Sequence, residues 1–338
     1  MLPIEIIGGG LAGLALGLGL RRAGVPVTLH EAGDYPRHRV CGEFIAGLKP
    51  STIERLGLAE ALRGALRHEE VAWSIDETVL RIQRLPSPAL GLSRHTLDAR
   101  LAHAFTEAGG ELHPRSRVTA TGRIPGRVLA TGRRRAADAR WIGLKMHVRG
   151  LSLTRDLEMH LGAEAYVGLA RVEQDVVNVC GLFCRRAVRA TGPALLSGYL
   201  AATGLRSLAA RIAGAVVDPA SFCAVAALGF DRRVPSNDQL SIGDAGAMIP
   251  PFTGNGMAMA FQSAEVALDP LVAFARGKSS WPATCRATNR ALRGRFRVRL
   301  ASADAVHPFL LTPRRQRWFA ALSRARLLPF GPLYAALH

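Results

Sequence analysis

The chain has 338 residues, of which 49% are hydrophobic and 21% charged, and this composition supports a packed core and excludes a disordered protein. Its formal net charge of +18 would suit an anionic partner such as nucleic acid. However, all but three of the 44 basic residues are arginines spread through every segment, without a basic motif interleaved with aromatics, so we expect no nucleic-acid partner.

The cysteines form no CxxC pair and no Cys/His set with zinc spacing. They are Cys41, Cys180, Cys184, Cys223 and Cys285. No basic region or small-residue cleavage site precedes the first predicted strand. We therefore expect reduced thiols, no metal site and a cytoplasmic location.

The first elements form a βαβ unit. A β-branched run, Ile4 to Ile7, stops at three glycines, residues 11–22 follow with helical spacing of leucines, and residues 25–30 make a second strand. The crossover makes the two strands parallel.

Beyond residue 30 the pattern alternates between helices and strands. We predict helices over residues 50–67, 94–108, 193–215 and 255–274, and a largely helical tail over 281–338. We predict strands over residues 71–85, 112–120 and 126–130, a β-rich segment over 151–183, and a strand ending at Ser241-Ile242. Pro86 and Pro88 should end the first of these strands.

The βαβ unit carries a dinucleotide-binding motif. Gly8-x-Gly10-x-x-Gly13 lies between strand and helix, where Gly8 permits a tight turn, Gly10 permits close approach of a pyrophosphate, and Gly13 permits packing of helix on strand. Ala12 lies in the same turn, beside the helix N–H groups that bind phosphate. Glu31 closes the second strand at the interval where a carboxylate binds ribose hydroxyls.

A second motif indicates which dinucleotide binds. Asp244 follows a strand, and a Pro/Gly loop then leads into a helix that starts at Gly254-Asn255-Gly256-Met257. This resembles the ribityl-binding motif of FAD-dependent monooxygenases and geranylgeranyl reductases. The resemblance implies that Asp244 contacts the ribityl chain of FAD and that the helix N-terminus, with residues 254–257, points at the flavin.

Three further stretches resemble the same families. Residues 36–43, with Arg39, Cys41 and Gly42, are similar to the loop that lies along the isoalloxazine ring in geranylgeranyl reductase relatives. Arg94-His95-Thr96-Leu97-Asp98 is similar to a helix start whose arginine lies near the pyrophosphate. Val118 falls where a backbone group meets the adenine. The resemblance covers residues 1–148 and about 236–275.

The sequence also departs from these families. Residues 141–147 replace the Asp-Gly motif of the hydroxylases, which puts their NADPH contacts in doubt, and residues 162–169 lack the aromatic and proline partners of the geranylgeranyl reductase strand. The halogenase tryptophan motif is absent. We identify no catalytic residue, and we interpret His95 and His147 as structural.

The predicted fold is α/β, with a glutathione-reductase-like FAD-binding domain of the Rossmann type. We assign residues 1–67, 89–148 and 236–275 to that domain, residues 68–88 and 149–235 to an inserted β-rich substrate domain, and residues 276–338 to a helical C-terminal region.

Three functions stay open. The first is a monooxygenase that uses NADPH or NADH and oxygen to hydroxylate or epoxidise an apolar aromatic or polyketide-like molecule, and the compact substrate region favours it. The second is reduction of isoprenoid double bonds, which the Arg39 to Glu43 loop favours. The third is a redox-silent FAD-binding protein. In each enzyme the flavin supplies the electron chemistry.

The tail suggests a membrane partner as well. Arginines alternate there with aromatic and leucine residues, which fits peripheral contact with an anionic membrane. The same pattern also fits a helix that packs on the protein's own core.

Overall fold

The computed structural model describes residues 1–75, 78–119, 123–133, 140–230 and 238–338. The strands in chain order are β1 (Ile4–Ile7), β2 (Val27–His30), β3 (Phe44–Ile45), β4 (Leu66–Ile75), β5 (Thr78–Gly91), β6 (Glu111–His113), β7 (Arg127–Leu129), β8 (Trp141–Arg149), β9 (Leu157–Gly162), β10 (Ala165–Val172), β11 (Val176–Cys184), β12 (Val216–Leu228) and β13 (Leu240–Ser241). The helices are α1 (Leu11–Arg22), α2 (Pro50–Leu56), α3 (Arg94–Glu107), α4 (Pro193–Ala202), α5 (Arg206–Ala213), α6 (Gly256–Ala275), α7 (Trp281–Leu311), α8 (Pro313–Arg324) and α9 (Phe330–Leu337).

The first layer is a parallel sheet with strand order β13-β7-β1-β2-β6. Strands of such a sheet are covered on both faces, which is why β1 is an almost unbroken run of isoleucine. Helix α1 packs against α3 and α6, and its residues 11–20 are all buried. The predicted βαβ unit is therefore confirmed, and it forms the centre of one hydrophobic core.

The second layer is a larger mixed sheet with order β12-β8-β11-β10-β9-β4-β5-β3. Its neighbours are antiparallel except for β4 and β9. Alternate residues face opposite sides, so Tyr166 packs in a core with helices α7, α8 and α9, while Val167 packs in a core with α4 and α5. This sheet thus carries a helical layer on each face.

Four predicted boundaries were wrong. The strand predicted over residues 112–120 forms only as β6, which ends at His113, and residue 120 lies outside the described residues. The helix predicted over residues 50–67 ends at Leu56, because Gly57 adopts the left-handed conformation (φ 71°) that terminates helices, and β4 already begins at Leu66. The helix predicted over 193–215 is divided at Gly204 (φ 86°). Pro86 and Pro88 do not end β5, because they lie where its pairing with β4 shifts register and no ladder hydrogen bond is needed.

The sheet topology also bears on the predicted domains. Strand β8 pairs with β11 and β12 in the larger sheet, although residues 141–148 were assigned to the FAD-binding domain. Strands β4 and β5 likewise start and end a few residues outside the predicted insertion. The domain division itself stays a prediction. None of the described helices combines the length and the apolar character of a membrane span.

Candidate dinucleotide site and adjoining cavity

The turn between β1 and α1 needs its outer glycines for steric reasons. Gly8 has φ 114°, and a Cβ there would collide with the carbonyl oxygen of Ala130. A Cβ on Gly13 would collide with the carbonyl oxygen of Gly8. The protein's own backbone therefore excludes side chains at both positions, as the motif predicts.

Gly10 differs, because a Cβ there would meet no described atom within 4 Å. It is the N-cap residue of α1, and no described side chain caps the helix, so its first N–H groups remain available. Open space in front of free N–H groups suits a pyrophosphate. Ala12 is buried and lies beside Gly243, whose added Cβ would come within 2.9 Å of the Ala12 Cβ.

Glu31 is buried at the end of β2, beside this turn. Its carboxylate accepts hydrogen bonds of 2.8 Å from the backbone N–H groups of Gly9 and Gly33, and one of 2.6 Å from Arg37. Burial raises the pKa of Glu31, but the Gly33 hydrogen bond and the arginine charges outweigh it and lower the pKa overall. Glu31 is therefore ionised next to the turn at Gly8 to Gly13, and its contact with ribose stays a prediction.

Arg39 and Arg94 meet at the fully buried Asp98. Arg39 Nε donates to Asp98 Oδ2 at 2.9 Å, and Arg94 Nε donates to Asp98 Oδ1 at 2.6 Å. Arg39 Nη2 is buried and makes no hydrogen bond among the described residues, but it lies 3.6 Å from Glu31 Oε2. This nitrogen is therefore paired by charge and not by a hydrogen bond.

Asp244 lies in a short 3-10 turn, Gly243–Ala245, directly after β13. The turn is held by a 2.9 Å hydrogen bond from the Gly243 N–H to Ser263 Oγ. Loss of solvation raises the pKa of the Asp244 carboxyl against the opposing charges of Arg94 and Arg133, although the residue as a whole keeps an exposed surface. The structure thus brings Asp244 close to the α1 turn and to Arg94.

The start of α6 lies against strand β3 and the C-terminal helix. Gly254 has φ 67°, and a Cβ there would collide with the Phe44 ring. Asn255 is fully buried and donates through Nδ2 to the Leu337 carbonyl, while its Oδ1 has no hydrogen-bond partner among the described residues. A Cβ on Gly256 would meet no described atom within 4 Å, and Met257 is buried.

The residues predicted in the preceding loop lie in two environments. Gly42 lines a cavity, whereas Cys41 accepts a 2.9 Å hydrogen bond from Asn178 through its backbone oxygen. Burial raises the pKa of the Cys41 thiol, so this cysteine is not an activated thiolate. Val118 is half-buried in an irregular segment after β6, and its contact with adenine stays a prediction.

Sequence reasoning missed a buried cluster behind this loop. Glu43 has φ 57° and is fully buried, and its carboxylate lies 3.3 Å from Lys145 Nζ and 2.5 Å from His147 Nε2. It also accepts a 3.0 Å hydrogen bond from the Arg94 N–H. Burial raises the pKa of Glu43, but the His147 hydrogen bond and the Lys145 charge outweigh it, so the carboxylate is ionised.

The cluster includes a set that could ligate a metal, namely His38, Glu43 and His147. However, Lys145 Nζ lies 3.1 Å from His38 Nδ1 as well as 3.3 Å from Glu43. Burial and the Lys145 charge lower the pKa of His38 to about 4, so its neutral ring accepts from the ammonium. Lys145 therefore supplies the cation of this cluster. The sequence did offer a signal of this cluster, because Lys145 and His147 are two residues apart in an apolar strand and so lie on the same face.

An apolar cavity lies between the larger sheet and the C-terminal helices. Its wall includes Trp73 and Met159 from the sheet and Leu310, Phe319, Leu333 and Leu337 from the helices. Gly42 and Phe44 border it on one side, and Phe252 and Thr253 border it on another. The cavity thus reaches the loop that the sequence predicts to lie along the flavin, and the two residues directly before the helix start that it predicts to point at the flavin.

Comparison with known proteins places this geometry in context. No family model matches the sequence. Over 138 residues the chain is 25% identical to a menaquinone reductase of Mycolicibacterium smegmatis, an alignment that covers 38% of this chain and 34% of that protein. The matched part thus spans about a third of the curated relative.

Solved structures match over nearly the whole chain. The flavin-dependent brominase Bmp2 superposes with a TM-score of 0.76 at 17% identity, covering 99% of this chain and 92% of that one. A geranylgeranyl bacteriochlorophyll reductase-like protein of Thermoplasma acidophilum superposes with a TM-score of 0.72 at 15% identity, covering 96% and 92%. These likenesses confirm the predicted α/β fold, which the chain shares with both of these proteins.

Proposed function

We propose that this protein is an FAD-dependent monooxygenase that hydroxylates or epoxidises an apolar small molecule, with NADPH or NADH as electron donor. The observation that carries the proposal is the apolar cavity, because it adjoins both Gly42 and the Phe252–Thr253 segment that leads into α6. A site that excludes water protects reactive chemistry from side reactions.

The described residues fit FAD. The open space at Gly10 and the free N–H groups of α1 would hold the pyrophosphate, with the Arg39 guanidinium nearby as a positive charge. Glu31 and Asp244 would bind the ribose and ribityl hydroxyls. The N-terminus of α6 at Asn255 and Gly256 would orient the ring system. When bound, flavin supplies electron transfer and oxygen activation, and the chain's own residues bind, orient and exclude water.

The cavity also indicates the substrate's character. Its lining from Trp73, Met159 and Phe319 offers dispersion and apolar burial and few hydrogen bonds, so it selects an apolar aromatic or polyketide-like molecule. Helices α7 to α9 close it opposite the sheet.

Reduction of an isoprenoid double bond is the second candidate. The Cys41-Gly42-Glu43 stretch resembles geranylgeranyl reductases, and Gly42 borders the cavity, which would also accept an isoprenoid chain. The menaquinone reductase and the Thermoplasma protein agree with this candidate.

Isotopically labelled oxygen distinguishes the monooxygenase from the double-bond reductase. The enzyme, reduced by NADPH or NADH and offered candidate apolar substrates under labelled oxygen gas, should form product that carries one labelled atom and should form none without oxygen. Unlabelled product, two mass units heavier than the substrate and formed equally well without oxygen, would overturn the monooxygenase and establish the reductase. A flavin that no donor bleaches would overturn both in favour of a redox-silent protein.

A further inference from the structure

Helix α8 has two faces of different character. Its buried residues are Gln316, Ala320 and Ser323, at the spacing of a single face. On the opposite face Trp318 is 64% exposed and Leu322, one turn later, is 39% exposed. Leu327, just after the helix, is 68% exposed. Large apolar side chains are thus presented together to solvent, where they gain nothing in folding.

Exposed arginines surround these side chains. They are Arg314, Arg315, Arg317, Arg324 and Arg326. Residues 305–338 contain no Asp or Glu, so no acidic side chain of this stretch neutralises them. We name Arg314, Arg315, Arg317, Trp318, Leu322 and Leu327 the tail surface.

We propose that the tail surface docks on an anionic lipid bilayer. An interfacial helix inserts aromatic and aliphatic side chains at the level of the headgroups, while flanking arginines attract the anionic lipids. Trp318 is suited to that level, since its ring is apolar and its N–H is polar. A nucleic acid would use the same charge but would leave Leu322 and Leu327 without an apolar partner.

The same helix forms part of the cavity wall. Phe319 and Ser323 of α8 line the cavity, and so do Leu328 and Phe330, which follow the helix. Docking would therefore place the cavity wall at the bilayer surface, where apolar molecules accumulate. This reading of the substrate route rests on the proposed function, whereas docking itself does not.

Vesicle co-sedimentation tests the proposal. The FAD-loaded full chain should sediment with phosphatidylcholine vesicles that contain phosphatidylglycerol, and much less with phosphatidylcholine alone. Because each surface arginine strengthens binding about fivefold, R314Q/R315Q/R317Q should bind about a hundredfold more weakly. W318A should also weaken binding, and anionic vesicles should shift the tryptophan emission of the wild type to the blue but not that of W318A.

A matched control removes the same charge elsewhere. Arg286, Arg290 and Arg293 are exposed on α7, and R286Q/R290Q/R293Q should bind vesicles as the wild type does. Equal binding to neutral and anionic vesicles, or equal loss in the two triple variants, would overturn docking. Self-association without lipid that W318A abolishes would also overturn it and assign the surface to a second copy of the chain. Vesicle binding without oxygen-dependent turnover would overturn the proposed function and leave the docking standing. Oxygen-dependent turnover without vesicle binding would overturn the docking and leave the proposed function standing.

Discussion

The phosphate turn and the Glu43 cluster lie close together but are specified in different ways. The turn is encoded by contiguous residues, because backbone sterics at Gly8 and Gly13 leave no alternative. The cluster joins Glu43 to Lys145 and His147, about a hundred residues later, through a strand of the other sheet. Local backbone constraints are thus readable in the sequence, whereas charge pairing between the two sheets is visible only in the folded chain.

The largest effect is expected from a side chain that fills the turn between β1 and α1. Gly10→Val should abolish FAD binding, because the branched side chain would occupy the open space in front of α1, while the apoprotein should stay folded since no described atom lies within 4 Å. Equilibrium dialysis and thermal unfolding measure the two effects. Gly8→Val is the contrasting variant and should unfold the apoprotein, because its Cβ collides with Ala130. Full FAD affinity in Gly10→Val would show that the phosphate turn is misplaced.

The next effect concerns the cluster. Lys145→Met leaves the buried Glu43 carboxylate without its ammonium partner and should lower the free energy of unfolding by about 3–5 kcal/mol. Glu43→Gln/Lys145→Met removes both charges and should recover much of that loss. Urea unfolding of the wild type, both single variants and the double variant measures the coupling. Strictly additive losses would mean that the two groups do not act as a pair.

A smaller effect is expected at Asp244. Asp244→Ala should weaken FAD binding by about 1.5–3 kcal/mol, the value of one hydrogen bond to a charged group. Its apoprotein should be as stable as the wild type, because Asp244 is an exposed residue. Fluorescence titration with FAD checks this. An unchanged affinity would remove Asp244 from the cofactor site.

The smallest effect is a pH dependence from the buried His307. Burial lowers its pKa from the ordinary 6.5 to about 4, with a contribution from the Arg140 charge. The unfolded chain binds this proton near pH 6.5, whereas the folded chain binds it only near pH 4. The free energy of unfolding therefore falls as the pH drops from 6.5 to 4, and above pH 6.5 His307 contributes no pH dependence. His307→Phe should reduce the slope there by up to about 1.4 kcal/mol per pH unit. The pKa values of His38 and His338 are also lowered to about 4, so these two residues should maintain the remaining slope in the variant.

The limits of sequence reasoning follow the same division. Helix α1 and the start of α3 were predicted at their observed residues, because their apolar spacing is local. The structure adds that the Ser93 side chain caps α3 by accepting from the Thr96 N–H. The extent of β5 was not predicted correctly, because Pro86 and Pro88 lie where the pairing with β4 shifts register and no ladder hydrogen bond is needed. Strand β8 joins the larger sheet through pairing with β11 and β12, which no local pattern in residues 141–148 reveals. The cavity wall likewise requires helices α8 and α9 to fold back over distant strands.

The central claim is that this chain binds FAD through the turn at Gly8 to Gly13. Denaturing the purified, reconstituted protein and separating the released cofactor by chromatography tests it most directly. The account predicts a yellow protein that releases FAD in near-equal amount to the chain, because Glu31 and the α1 turn serve an adenosine diphosphate moiety that FMN lacks. Release of FMN, or of no flavin after reconstitution with FAD, would contradict it.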